Sequence, residues 1–215
     1  MIVSDQPILL QLNYTPLVDQ MALIATGIPA QIESQENYQK QSFRNRCHVL
    51  TSQGVLPLVI PVLHNKGEAI RYTEAQTDSK NPWAVQHWRS LVSSYNKSAY
   101  FEYYKHHFEA IYLQPNQNLY AFNYSLLGIF CRIFQFELPN ENKIWEVVPT
   151  DTTDLRSLFQ PKKINSLVSS PYYQTFEMPE GFVANLSCYD LLFNLGPESL
   201  SYLKKRGIEL QHQIG

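Results

Sequence analysis

Cysteine is scarce in this chain: among 215 residues only Cys47, Cys131 and Cys188 occur, an odd and widely spaced set. That pattern argues against a disulfide framework, and the lack of any CxxC pair argues against a zinc site. No apolar run approaches the ~20 residues that span a bilayer. The start, Met1-Ile2-Val3-Ser4-Asp5-Gln6-Pro7, has neither the basic head nor the apolar stretch of a signal peptide. A cytoplasmic protein without a membrane span is expected. Charge of one sign is missing as well: 17 Lys+Arg stand against 19 Asp+Glu, for a net −2 without long runs. Bulk binding to nucleic acid or to an anionic membrane is therefore not expected. There is no HExxH, GxSxG elbow, P-loop or Gly-rich fingerprint, so neither a metal nor a cofactor is expected. Internal repeats and low-complexity segments are absent too.

What remains is ordinary in bulk and unusual in detail. Hydrophobic residues make up 44% and charged residues 17%, the balance of a soluble globular chain. The length suits one domain over 1–215, strand-rich to about 78 and helix-rich from 79. The 14 Tyr are many. A ring with a polar tip suits a wide, partly wet cleft, though a Tyr-rich core reads equally well.

Along the chain, Ile8–Leu12 reads as a buried strand. Pro16–Thr26 reads as a helix with Thr15 as N-cap, stopped by Gly27. A strand feeding a helix N-terminus is a weak anion-site pattern. Ala30–Glu33 reads as a second strand. Cys47–Thr51 and Val55–Val62 flank Ser52-Gln53-Gly54 as a hairpin, and Pro57 and Pro61 point to a free or irregular edge. Ile70–Ala75 reads as one more strand. Helices are expected over Trp83–Tyr95, about Ser98–Leu113, and about Asn118–Phe134, where Asn123 is a polar residue in an apolar setting that needs a partner. Pro139–Leu155 reads as loop or extended chain, and Pro171–Phe176 as a last strand. Ser187-x-x-Asp190 caps a helix over Leu191-Leu192-Phe193, and Gly196-Pro197 opens another over Glu198–Lys205. The fold class is α/β (mixed α+β): an N-terminal mixed sheet with a helical middle and C-terminal portion.

Polar chemistry is densest in Tyr38-Gln39-Lys40-Gln41-Ser42-Phe43-Arg44-Asn45-Arg46-Cys47-His48. On a strand Arg44 and Arg46 share a face and could grip one phosphate or carboxylate; solvated edge charges are the alternative. Cys47 and His48, being adjacent, point to opposite faces and cannot form a dyad. Cys188 sits in a first helical turn without an identifiable base. His106-His107, with Glu102 one turn earlier, shows no metal-binding spacing. Lys162-Lys163 and Lys204-Lys205-Arg206 are the other local cations.

One combination of segments resembles the WbqC-like family over nearly the whole chain. It comprises Tyr14-x-Pro16, Asn37 through Arg46, Trp83-x-x-x-His87-Trp88-Arg89-Ser90-Leu91 and Tyr95-x-x-x-Ala99-Tyr100-Phe101. Asp154-Leu155-Arg156, Pro161-Lys162-Lys163, Tyr173-Gln174 and Leu186-Ser187-x-x-Asp190-Leu191-Leu192-Phe193-Asn194 complete it. The resemblance implies a role in bacterial surface-polysaccharide (O-antigen) biosynthesis, with acyl or aminoacyl transfer to a nucleotide-linked amino sugar as one reading. A non-catalytic binding protein for a glycan precursor or a pathway partner is the other. The expected ligand is a small, anionic molecule, a nucleotide sugar or a carrier-linked acyl group. For transfer, His87 is the expected base, and Asn45 or Tyr38 the oxyanion donor. Lys40, Arg44 and Arg46 are expected on phosphate, and Tyr14, Tyr95, Asn123 and Asp190 around the substrate. The chain departs from the pattern at Leu17-Val18-Asp19-Gln20 and Gln35-Glu36-Asn37, which alters the entrance to such a pocket.

Overall fold

The computed structural model describes residues 6–63, 69–142, 148, 150–161 and 167–214. Lys162 and Lys163 lie outside the described residues. A parallel sheet sits at the centre, in the order β7 (Asn140–Asn142), β2 (Ala30–Glu33), β1 (Ile8–Gln11), β8 (Thr153–Asp154). β1 is Ile8–Gln11 and β2 is Ala30–Glu33, joined through helix α1, Val18–Ile24. Ile8 pairs with Ala30 and Gln11 with Glu33. Near-continuous apolar character in β1 matches a strand covered on both faces, as parallel strands are. Thr15 is not the helix cap: α1 begins after Leu17, and Thr15 Oγ1 donates to Ser187 Oγ at 2.7 Å. Gly27, at φ +78°, ends the helical turn as expected.

Next comes the hairpin β3 (Arg46–Thr51) and β4 (Gly54–Val59), antiparallel, with His48 opposite Pro57. β4 is an edge strand in the described sheet, which is where a proline is tolerated. β5 (Val62–Leu63) pairs with β6 (Gln76–Thr77). The strand expected over Ile70–Ala75 is a 3-10 turn at Tyr72–Glu74 instead, because Tyr72 turns inward to bond the backbone of β1's exit loop.

Helices α2 (Trp83–Tyr95), α3 (Phe101–Tyr104), α4 (His106–Leu113) and α5 (Leu119–Phe134) follow. Asn118 Oδ1 caps α5 through Ala121 N–H at 2.8 Å, and Gln135 ends it in the left-handed region. The polar stretch after Pro139 supplies β7 (Asn140–Asn142) and β8 (Thr153–Asp154), so half of the central sheet comes from beyond the strand-rich front. Short strands without apolar alternation leave no periodic signal. Pro171–Phe176 is not a strand; Gln174 and Thr175 bond through their side chains to Asp190, Asn194 and the Val183 backbone, not to a ladder. α6 (Cys188–Leu195) is capped by Ser187, and α7 (Ser199–Ile214) runs well past the expected Lys205. One hydrophobic core joins these parts, with Phe108, Phe130 and Tyr189 packed ring to ring at 4.8–5.0 Å.

Helix α7 lies on α1. Asp19 and Arg206 form a doubly bonded ion pair at 2.7 and 2.8 Å, both side chains fully buried. At Gly207 a Cβ would stand 2.4 Å from the Ala22 carbonyl, so only glycine permits the crossing.

Candidate functional site

The segments that follow β2 and β8 line a cleft of about 330 Å3 beyond the carboxyl ends of those strands, the end of a parallel sheet where ligands usually bind. Glu36, Asn37, Gln39 and Arg44 form one wall, Asp154, Arg156, Ser157 and Gln160 the other. Two arginine–carboxylate forks face each other across it. Arg44 donates through Nε and Nη2 to Glu36 at 2.8 and 2.6 Å. Arg156 grips Asp154 in the same way at 2.9 and 2.7 Å, and its Nη1 reaches Glu33 at 3.5 Å. The Arg156 bond holds the Asp154 carboxyl below its usual range. Burial pushes the Glu33 carboxyl up, against the Gln35 N–H that it accepts and the charge of Arg156.

Arg44 is the best-held side chain of the wall. It is buried, its guanidinium lies over the Tyr72 ring, and its carbonyl accepts from Asn123 Nδ2 at 2.7 Å and from Tyr72 Oη at 3.3 Å. Asn123 thus has the partner its apolar helix demanded, and it organises the wall from behind. Nη1 of Arg44 has no partner among the described residues. Arg44 and Arg46 do not share a strand face. Arg44 lies in the turn before β3, and Arg46 is that strand's first residue, its Nε without a partner among the described residues. The reason is Glu36, which ties Arg44 down two residues short of the strand. Lys40 is exposed in the same turn, beside Gln41 in the left-handed region.

The expected oxyanion donors are otherwise placed. Asn45 Nδ2 donates to the Ile60 carbonyl at 2.9 Å, which ties the turn before β3 to the end of β4. Tyr38 is buried, and that burial lifts its phenol to about 12 against the opposing charges of Arg46 and Arg44.

His87 lines neither this cleft nor the cavities around Ile28 and Phe136 and around Tyr173 and Phe182. It is buried on α2, and its Nδ1 meets Tyr14 Oη at 2.8 Å. Tyr14 Oη continues to Tyr112 Oη at 2.9 Å, and Tyr112 to Tyr189 at 3.1 Å. Burial lowers the imidazole to about 4, outweighing a contact with the Val59 carbonyl that raises it. The ring is neutral and enclosed at pH 7.

A second buried centre surrounds Asp190. Its carboxylate accepts from Tyr95 Oη at 3.1 Å, Tyr172 Oη at 2.7 Å and Gln174 Nε2 at 2.9 Å. Burial still outweighs those three donors and raises the carboxyl to about 6. Tyr95 and Asp190 therefore belong together, apart from Arg44 and from His87.

The anion-site pattern at the first strand–helix turn is closed by the chain itself. Val18 N–H donates to the Leu186 carbonyl at 3.1 Å. Gln11 Nε2 donates to Asn13 Oδ1, Asn13 Nδ2 to Gln20 Oε1, and Gln20 Nε2 back to the Gln11 main-chain carbonyl, all buried at 2.7–2.8 Å. All three thiols are buried, and burial raises each one, Cys47 and Cys131 to about 12. Among the described residues no group of three His, Cys, Asp or Glu is placed to hold a metal ion, and no helix is long and apolar enough to cross a membrane. The residues missed as site members are Glu33, Glu36, Ser157 and Gln160, with Asn37, Asp154 and Arg156 noticed only within motifs. The Asp-x-Arg spacing was the available signal, since two residues apart on an extended chain means one face.

Comparison with known proteins matches this region. The sequence matches the WbqC-like protein family over residues 11–156, from the last residue of β1 to Arg156 of the cleft. It is 27% identical to the uncharacterized protein Rv1507c of Mycobacterium tuberculosis, over 91% of this chain and 96% of that one. No solved structure gives a significant match. The chain belongs to the WbqC-like protein family.

Proposed function

We propose that the cleft between the two arginine forks binds a small polyhydroxylated ligand, a sugar precursor of surface-polysaccharide assembly. The observation that carries this reading is the lining itself: Arg44 and Arg156 with Glu36 and Asp154, joined by the neutral donors and acceptors of Asn37, Gln39, Ser157 and Gln160 around one cleft. The forks also set the ligand's charge. Both guanidiniums are already matched by carboxylates, so a sugar hydroxyl, accepting from arginine and donating to Glu36 or Asp154, fits better than a polyphosphate. Binding is favoured over catalysis, because the wall carboxylates are tied to arginine and His87 lies elsewhere.

A transferase acting on an amino sugar is the second reading, and Glu33 favours it. Burial raises its carboxyl, which stands 3.5 Å from Arg156 Nη1, next to the cleft. Calorimetry with an amino sugar, free and nucleotide-linked, tests the first reading. Arg156→Gln is expected to weaken binding by about tenfold or more, the scale of a charge-assisted bond. Unchanged affinity in the folded variant would remove the cleft from consideration. Incubation with acyl or aminoacyl donors tests the second: ligand bound without acylated sugar leaves a binding protein.

A further inference from the structure

Away from the sheet, the segment preceding α6 builds a separate cavity of about 330 Å3. Tyr172, Tyr173, Phe176, Glu177, Met178 and Phe182 wall it, and Glu177 is the only charged residue among those described there. The walls are fixed before any ligand arrives. Gln174 clasps Val183 twice, donating to its carbonyl at 2.9 Å and accepting from its N–H at 3.0 Å. Tyr172 stands edge-on to Phe182 and Tyr202 at 4.9 and 5.1 Å, with its hydroxyl bonded to Asp190. Thr175 is bonded through both N–H and Oγ1 to Asn194. Met178 and Gly181 bridge across the tip, where Gly181 holds φ +85°.

The lining has one electrostatic sense. Aromatic faces are negative, and a phenol that donates to a buried carboxylate has a more electron-rich ring. The Met178 sulfur is polarisable, Glu177 adds a full negative charge, and no described lining residue carries a positive one. An anion is repelled here and a neutral apolar group gains only burial. We propose that this cavity is a binding site for an organic cation, an alkylated or primary ammonium group held over the rings and balanced by Glu177. The volume is at the lower end for ligand cavities, enough for the cationic group and the carbons beside it. The site is separate from the sheet cleft and stands whether or not that cleft binds sugar.

Choline and its uncharged isostere 3,3-dimethylbutan-1-ol separate charge from shape. In an NMR titration of the full chain, choline is expected to shift the signals of Tyr173, Phe176 and Phe182. It should bind about tenfold or more tighter than the isostere, the margin of a partly desolvated cation–aromatic contact. Tyr173 and Glu177 are exposed, so Tyr173→Ala and Glu177→Gln leave the fold intact; each is expected to weaken choline severalfold. Equal binding of the two compounds would overturn the proposal, as would shifts confined to another region or affinity unmoved by both variants. No response from the wild type at millimolar choline would overturn it too.

Discussion

Asp190 and His87 titrate inside the fold in opposite senses. The Asp190 carboxyl is raised to about 6 in the folded chain, above an ordinary value near ~4. Between those values the folded state holds more protons than the unfolded one, so stability falls as pH rises through that window, by about 3 kcal/mol in all. His87 is lowered to about 4 from about 6.5. There the unfolded state holds more protons, and stability falls as pH drops through the window, again by about 3 kcal/mol. The two slopes oppose each other. Asp190→Asn removes one of them, so its stability deficit relative to wild type is expected to grow between pH 7 and pH 4.5 in urea denaturation. A deficit equal at both pH values would show that Asp190 is already ionised throughout. The Arg44–Glu36 fork gives a second prediction. Glu36→Gln leaves a buried guanidinium without its counter-charge and is expected to cost about 3–5 kcal/mol. Pairing it with Arg44→Met should recover most of that loss in the same measurement, as removing both charges removes the mismatch.

At the scale of elements, the crossing of α1 and α7 depends on the missing Cβ of Gly207. Gly207→Ala adds helix propensity yet drives a methyl into the Ala22 carbonyl and the Thr26 side chain. The clash should win, lowering stability by about 1–3 kcal/mol in thermal unfolding despite the better helix former. The elements also show what a sequence carries. β1 was legible as a short continuous apolar run, the β3–β4 hairpin from the turn residues between its strands, and α2 and α5 from the helical period of their apolar residues. β7 and β8 were not: three and two residues long, they are strands only because β2 and β1 offer edges to them. The inward turn of Tyr72 was equally hidden, since its partners lie far away in sequence.

For the molecule as a whole, the candidate site was legible in part. Arg44 was recognisable from the density of donors around it, and Asn123 from its polar side chain in an apolar helix. Their shared wall was not, because Glu36 and Asn123 reach Arg44 by tertiary contact alone. His87 looked like a base by residue type, and its burial is a property of the assembled core. The fork of Arg206 on Asp19 adds a constraint of another kind, since it joins residues 187 positions apart. Helix α1 is buried along its full length, and α7 supplies part of the cover. A chain cut at Gly196 is expected to lose its cooperative urea transition even though it retains every residue of the sheet cleft. During synthesis the same dependence becomes a matter of timing. Helix α1, once made, must wait for α7, with Asp19 uncompensated and its apolar neighbours open to chaperones and to other nascent chains, so the emergence of α7 is the event that lets α1 settle.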